Sequence, residues 1–217
     1  MTINHHADDA TLMSYAAGSL PEALSAVVAA HVRMCPCCRR EVDALELLGG
    51  TLLAQLPPAM ISQTGDFDPS ADAATKERCP ARAGGKRQAG KSASILSRLS
   101  DRDLANVQWR RLGPGIWHFP LQLSPGAKGD LRLFKVAPGQ SMPQHGHGGT
   151  ELTLILAGSY RDEIGRFELG DLAELDQEHD HSPVSDRETG CICLIASEEK
   201  ARYKGLIARL LQPLIGI

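Results

Sequence analysis

The residues of this chain best equipped for chemistry stand in one short run, His145-Gly146-His147-Gly148-Gly149-Thr150-Glu151. Two imidazoles two positions apart on extended chain point to the same side, and the glycine pair allows the turn that brings a carboxylate back beside them. Such a set binds a divalent metal. Past Gly170-Asp171, His179 and His181 could each add one more imidazole; His179 lies in an acidic loop, which favours His181, just before Ser182-Pro183-Val184. Three imidazoles and one carboxylate suit zinc, manganese, iron or nickel, and the ordering of divalent affinities does not choose among them. The bland alternative is a metal-free barrel with a polar lining.

A second set lies near the start. His31-x3-Cys35-x2-Cys38 places an imidazole on the inner face of a helix, a thiol at a turn, and a second thiol on the first turn of the next helix. Structural zinc prefers a closed tetrahedral shell of nitrogen and sulfur, so a fourth ligand is required. The leading His5-His6 pair offers it, with His6 preferred. Cys37 could stand in for Cys38, although Cys38 shares a helical stripe with Val42 and Leu45. The alternative is a core histidine with free thiols. Of the six cysteines, Cys79 reads as incidental, while Cys191-Ile192-Cys193 reads as either a redox pair or inert core.

The elements that must position these groups differ between the two halves. From about Asp8 to Leu56 the apolar spacing is helical, with Ser19 and Glu22 as a capping box for a second helix, Pro36 opening a third and Gly49-Gly50 a weak point within it. From about Trp109 onward the pattern is short runs of period two separated by Gly, Pro and Asp, as in an antiparallel double-sheet barrel. The expected architecture is therefore α plus all-β: a zinc-stabilised helical bundle over 1–60, a flexible linker over 61–95, and a metal-binding barrel of jelly-roll type over 96–217. So small a helical module buries little apolar surface, which makes metal binding part of its folding energy, and chelation is expected to unfold it.

Composition removes several functions. The 217 residues carry a net charge of −3, which favours no polyanion and argues against nucleic acid as a direct partner. The start, Met1-Thr2-Ile3-Asn4-His5-His6, has no basic and apolar leader, and no apolar run approaches the ~18 residues that span a bilayer. A cytoplasmic protein without a membrane partner is expected.

Two motifs carry a resemblance. Gly139-Gln140-Ser141-Met142-Pro143-Gln144-His145 through Glu151, followed by Gly158, is similar to the first cupin motif at each fixed position, and the helical set resembles the zinc-binding anti-sigma domain. Together with Glu151-Leu152-Thr153-Leu154 and Cys191-Ile192-Cys193-Leu194, they resemble ChrR-type zinc anti-sigma factors along nearly the whole chain. That resemblance implies zinc held by His6, His31, Cys35 and Cys38, and a second divalent metal, zinc foremost, held by His145, His147, Glu151 and His181. It further implies that the N-terminal domain sequesters an extracytoplasmic-function sigma factor one to one, and that the cupin domain serves release under singlet oxygen or organic peroxide. The protein is then a regulator and not an enzyme. One departure is that the family's further helix before the linker has weak apolar spacing here, so 61–80 is expected to be short or ordered on binding. The rival is a cupin metalloenzyme, an iron-type dioxygenase whose N-terminal module serves oligomerisation.

Overall fold

The computed structural model describes residues 2–58, 104, 106–146, 148–177, 180–199 and 202–203. The expected linker, the expected fourth helix, His147, His179 and Cys79 lie outside the described residues.

Three helices come first: α1 (Asp9–Ala16), α2 (Glu22–Met34) and α3 (Pro36–Ala54). Asp8 caps α1 by accepting from the Thr11 amide at 2.6 Å. The expected capping box on α2 does not form. Pro21 occupies the cap position without a side-chain bond, Ser19 Oγ donates to the Ser14 carbonyl at 3.2 Å, and Glu22 Oε1 accepts from the amide and hydroxyl of Ser124 at 3.0 and 3.2 Å. A carboxylate in the first turn already meets the positive end of the helix, so it is free to take a partner across the molecule. Cys35 sits at φ −100° and ψ 107°, where a following proline steers it, and it both ends α2 and caps α3. The helix then passes through Gly49-Gly50 without a break.

The strands are β1 (Arg110–Gly113), β2 (Ile116–Pro120), β3 (Asp130–Val136), β4 (His145–Gly146), β5 (Glu151–Arg161), β6 (Arg166–Glu168), β7 (Leu172–Leu175), β8 (Val184–Ser185), β9 (Cys191–Ser197) and β10 (Arg202–Tyr203). All pairs are antiparallel; the main sheet runs β1-β2-β3-β9-β5-β6, with β7 and β8 also on β5, and β10 pairs β4 separately. This is the strand arrangement of a cupin, and among the described residues the ladder does not close. At the end of the bulge on β5, Gly158 adopts φ 68°, and a Cβ there would meet the Gly190 carbonyl oxygen at 2.1 Å.

Period two decides what each face of β5 does. Glu151 and Thr153 line a cavity, while Leu152 and Leu154 point the other way and are fully buried. Their cover is the helical module: Leu24, Val27 and Val28 of α2 share one continuous core with Leu131, Leu133, Leu152, Leu154, Leu172 and Leu194. A smaller cluster fills the inside of the sheet around Phe134, Ile155, Tyr160 and Phe167, together with Cys191 and Cys193. Among the described residues no helix is long and apolar enough to cross a membrane.

Candidate metal centres

The first centre is assembled from three pieces of chain. An extended N-terminal segment brings His6, the last turn of α2 brings His31, and the α2–α3 corner brings Cys35 and Cys38. One ligand atom from each lies within 4.8 Å of all the others. His6 Nδ1 is 3.3 Å from Cys35 Sγ and 3.4 Å from Cys38 Sγ, and His31 Nε2 is 3.3 Å from Cys38 Sγ. Usual zinc bond lengths in a tetrahedron put nitrogen and sulfur about 3.5 Å apart, so the set fits that ion. The Cys38 amide also points at Cys35 Sγ, at 3.5 Å. Burial, followed by the neighbouring Cys35 thiol, pushes the Cys38 thiol up to about 12; left to itself this sulfur stays protonated, and a cation is what favours thiolate. Burial also holds His31 in its neutral form, the form that ligates.

The two alternatives at this centre separate by position. Cys37 is exposed and outside the cluster. The His5 ring bonds the Arg166 carbonyl oxygen at 3.1 Å and lies 4.4 Å from the Phe167 ring, so it is committed to the sheet.

The second centre brings together His145, Glu151 and His181, all buried. His145 and His181 face each other as an antiparallel bridge, with backbone bonds of 3.3 and 3.1 Å in the two directions. Each ring spends Nδ1 on an outer partner: His145 donates to the Pro143 carbonyl at 2.9 Å and His181 to Asp162 Oδ2 at 3.0 Å. Their Nε2 atoms are then acceptors, and they stand 3.2 Å apart. Two lone pairs at that distance repel unless a proton or a metal ion lies between them, and two imidazoles on one metal at ordinary bond lengths stand about 3.3 Å apart. Asp162 completes a carboxylate–histidine pair of the kind that orients metal ligands. Burial works to raise its carboxyl, but bonds from His181, Ile164 and Gly165 outweigh this and the net shift is downward.

The centre opens on a cavity of about 390 Å³, lined in part by Phe134, Met142, Tyr160, Cys191, Cys193 and Ile195. Among the described residues the buried Tyr160 hydroxyl has no hydrogen-bond partner. Burial raises its pKa and keeps it a neutral phenol. Cys193 is held well above its ordinary value by the Cys191 thiol and by burial, which disfavours thiolate. Sequence reasoning missed Asp162, Tyr160 and the carbonyl partners of the histidines; their roles depend on which loops meet, and nothing local announces that.

Fold and sites define a class: a His/Cys helical module seated on the outer face of a metal-type cupin sheet. Residues 101–201 match the family model of the ChrR cupin-like domain. Over all 217 residues, and the full length of the relative, the chain is 39% identical to the anti-sigma-E factor ChrR of Cereibacter sphaeroides. It also superposes with a TM-score of 0.73 on a chain of the crystal structure of Rhodobacter sphaeroides SigE in complex with the anti-sigma ChrR, at 39% identity, covering 90% of this chain and 99% of that one. The chain belongs to the family of ChrR-type anti-sigma factors.

Proposed function

We propose that this chain is a cytoplasmic anti-sigma factor whose N-terminal domain, residues 1–60, holds zinc and sequesters one extracytoplasmic-function sigma factor. Residues 61–95 serve as the linker, and the cupin domain, 96–217, releases the partner under singlet oxygen or organic peroxide. The observation that carries the reading is a row of leucines along the outer half of α3 and just past its end at Ala54. Leu47, Leu48, Leu52, Leu53 and Leu56 are each more than half exposed, while Cys38 and Val42 alone are buried in that helix. A helix that turns so much leucine to water is one awaiting a partner, and the relative solved in complex is bound to a sigma factor.

Mixing the purified chain with such a sigma factor should give a one-to-one complex by light scattering. The double substitution Leu52→Asp with Leu53→Asp should weaken it by about 100-fold or more while leaving helicity intact; an undiminished complex would count against the reading.

For sensing, the cupin ligands are the stronger candidates than Cys191 and Cys193, because both thiols are buried and that of Cys193 is held protonated. Zinc is the simplest occupant of that centre. Cells carrying Glu151→Ala should fail to release the sigma factor under singlet oxygen, whereas Cys191→Ser with Cys193→Ser should respond as the parent does. The reverse pattern would transfer the role to the thiols.

A further inference from the structure

The turn Gly170-Asp171 belongs by sequence to the cupin half, yet its polar atoms face the other metal centre. Its carbonyl at Gly170 accepts from His31 Nδ1 at 3.0 Å, which fixes that ring so that Nε2 meets Cys38. The Asp171 carboxylate, 1% exposed, accepts from the amides of Asn4 and His5 at 2.7 and 3.1 Å through Oδ1 and from Glu168 N at 2.9 Å through Oδ2. The Leu172 amide then donates to the His5 carbonyl at 3.2 Å. The segment leading into His6 is thus clamped from both sides, so one turn of the other half aims the His31 ring directly and fixes the backbone that delivers His6.

The same turn is tied to the strand that carries Glu151. Gly170 N donates to the Ile155 carbonyl at 2.9 Å, and Ile155 N donates to the Asp171 carbonyl at 3.1 Å. Ile155 lies four residues along β5 from Glu151. One backbone loop therefore stands between a ligand of the cupin centre and both imidazoles of the helical one.

We propose that the Gly170-Asp171 turn is the outer shell of the N-terminal metal centre, with Asp171 its positioning residue, so that the cupin half sets how tightly the helical half holds its metal. Outer partners of metal-bound histidines commonly change affinity 10- to 100-fold when removed, and the effect is reciprocal: the metal must stabilise the turn as much as the turn stabilises the metal.

The test uses the full chain and competition for zinc against a chromophoric chelator, resolving two sites. Asp171→Ala should weaken the N-terminal site by about 10- to 100-fold. Asp171→Asn, which keeps an acceptor for Asn4 and His5, should lose much less. Glu174→Ala is the control for docking alone, since Glu174 bonds Asp8 N and Thr11 Oγ1 on the same interface, at 3.0 and 2.6 Å, without touching a ligand. An Asp171→Ala affinity within twofold of the parent, or an equal loss in Glu174→Ala, would overturn the assignment. The inference rests on metal binding at His6, His31, Cys35 and Cys38. A parent chain that takes up no metal there would sink that reading and this one together, whereas normal uptake with an unaffected Asp171→Ala sinks this one alone.

Should Asp171→Ala not fold, hydrogen exchange on Cys38→Ser, with the cupin centre loaded, decides the matter. The amides of Asn4, His5 and Leu172 should exchange at least tenfold faster, and the Ser124 amide, held by Glu22 at the far end of the interface, should not. Unchanged exchange at the turn, or equal loss at Ser124, refutes the proposal.

Discussion

At the scale of single residues, adjacency in sequence is a poor guide to role. Cys37 and Cys38 are neighbours, but one is exposed and the other buried against His6 and His31. Cys37→Ser should therefore leave the bound-metal content of the full chain unchanged, and Cys38→Ser should lower it by one equivalent, as read by elemental analysis. A pH effect is also local to one side chain. Asp186 accepts from the amides of Glu188 and Thr189, and these bonds hold its carboxyl at about 2, below the ordinary carboxylate value. A group lowered by folding stabilises the native state above its unfolded pKa and loses that contribution as pH falls through the folded one. Denaturant titrations should show the parent losing stability relative to Asp186→Asn as pH drops from about 4 toward 2. A parallel pair of curves would contradict this. Of the candidate ligands, the spacing made His31, Cys35, His145 and Glu151 legible. His6 was preferred to His5 from the sequence; the structure puts His6 in the His/Cys cluster and the His5 ring against Arg166 and Phe167.

At the scale of elements, the α-then-β order, the proline-started third helix and the alternation along β5 were readable from periodicity. The capping box on α2 was not, because Glu22 has a better partner on Ser124, and such a contact across 102 residues leaves no mark in a local window. Nor did spacing indicate that, among the described residues, the strand ladder does not close. Gly158 illustrates what a motif position means physically. It combines a left-handed φ with backbone oxygen where a side chain would start, so Gly158→Ala should destabilise the sheet by roughly 2–4 kcal/mol, in the range of strained backbone plus overpacking. Urea unfolding of the metal-loaded protein measures this directly; a loss below about 0.5 kcal/mol would show that the bulge relaxes at little cost.

At the scale of the whole molecule, the two halves are less separate than their composition suggests. A module expected to rely on metal alone is also roofed by the sheet, since Leu24, Val27 and Val28 are buried in the shared core. Circular dichroism should therefore distinguish the excised segment 1–60, which loses its helicity on chelation, from the intact chain, in which α2 stays largely helical after the same treatment. Equal loss in both would mean that the sheet adds nothing to the module. The shared core also restricts how this molecule can act as a switch. Parting the halves would turn Leu131, Leu133, Leu152, Leu154, Leu172 and Leu194 toward water, at a cost on the order of 2 kcal/mol for each leucine uncovered. A rearrangement that keeps this seam covered therefore costs less than one that parts the halves.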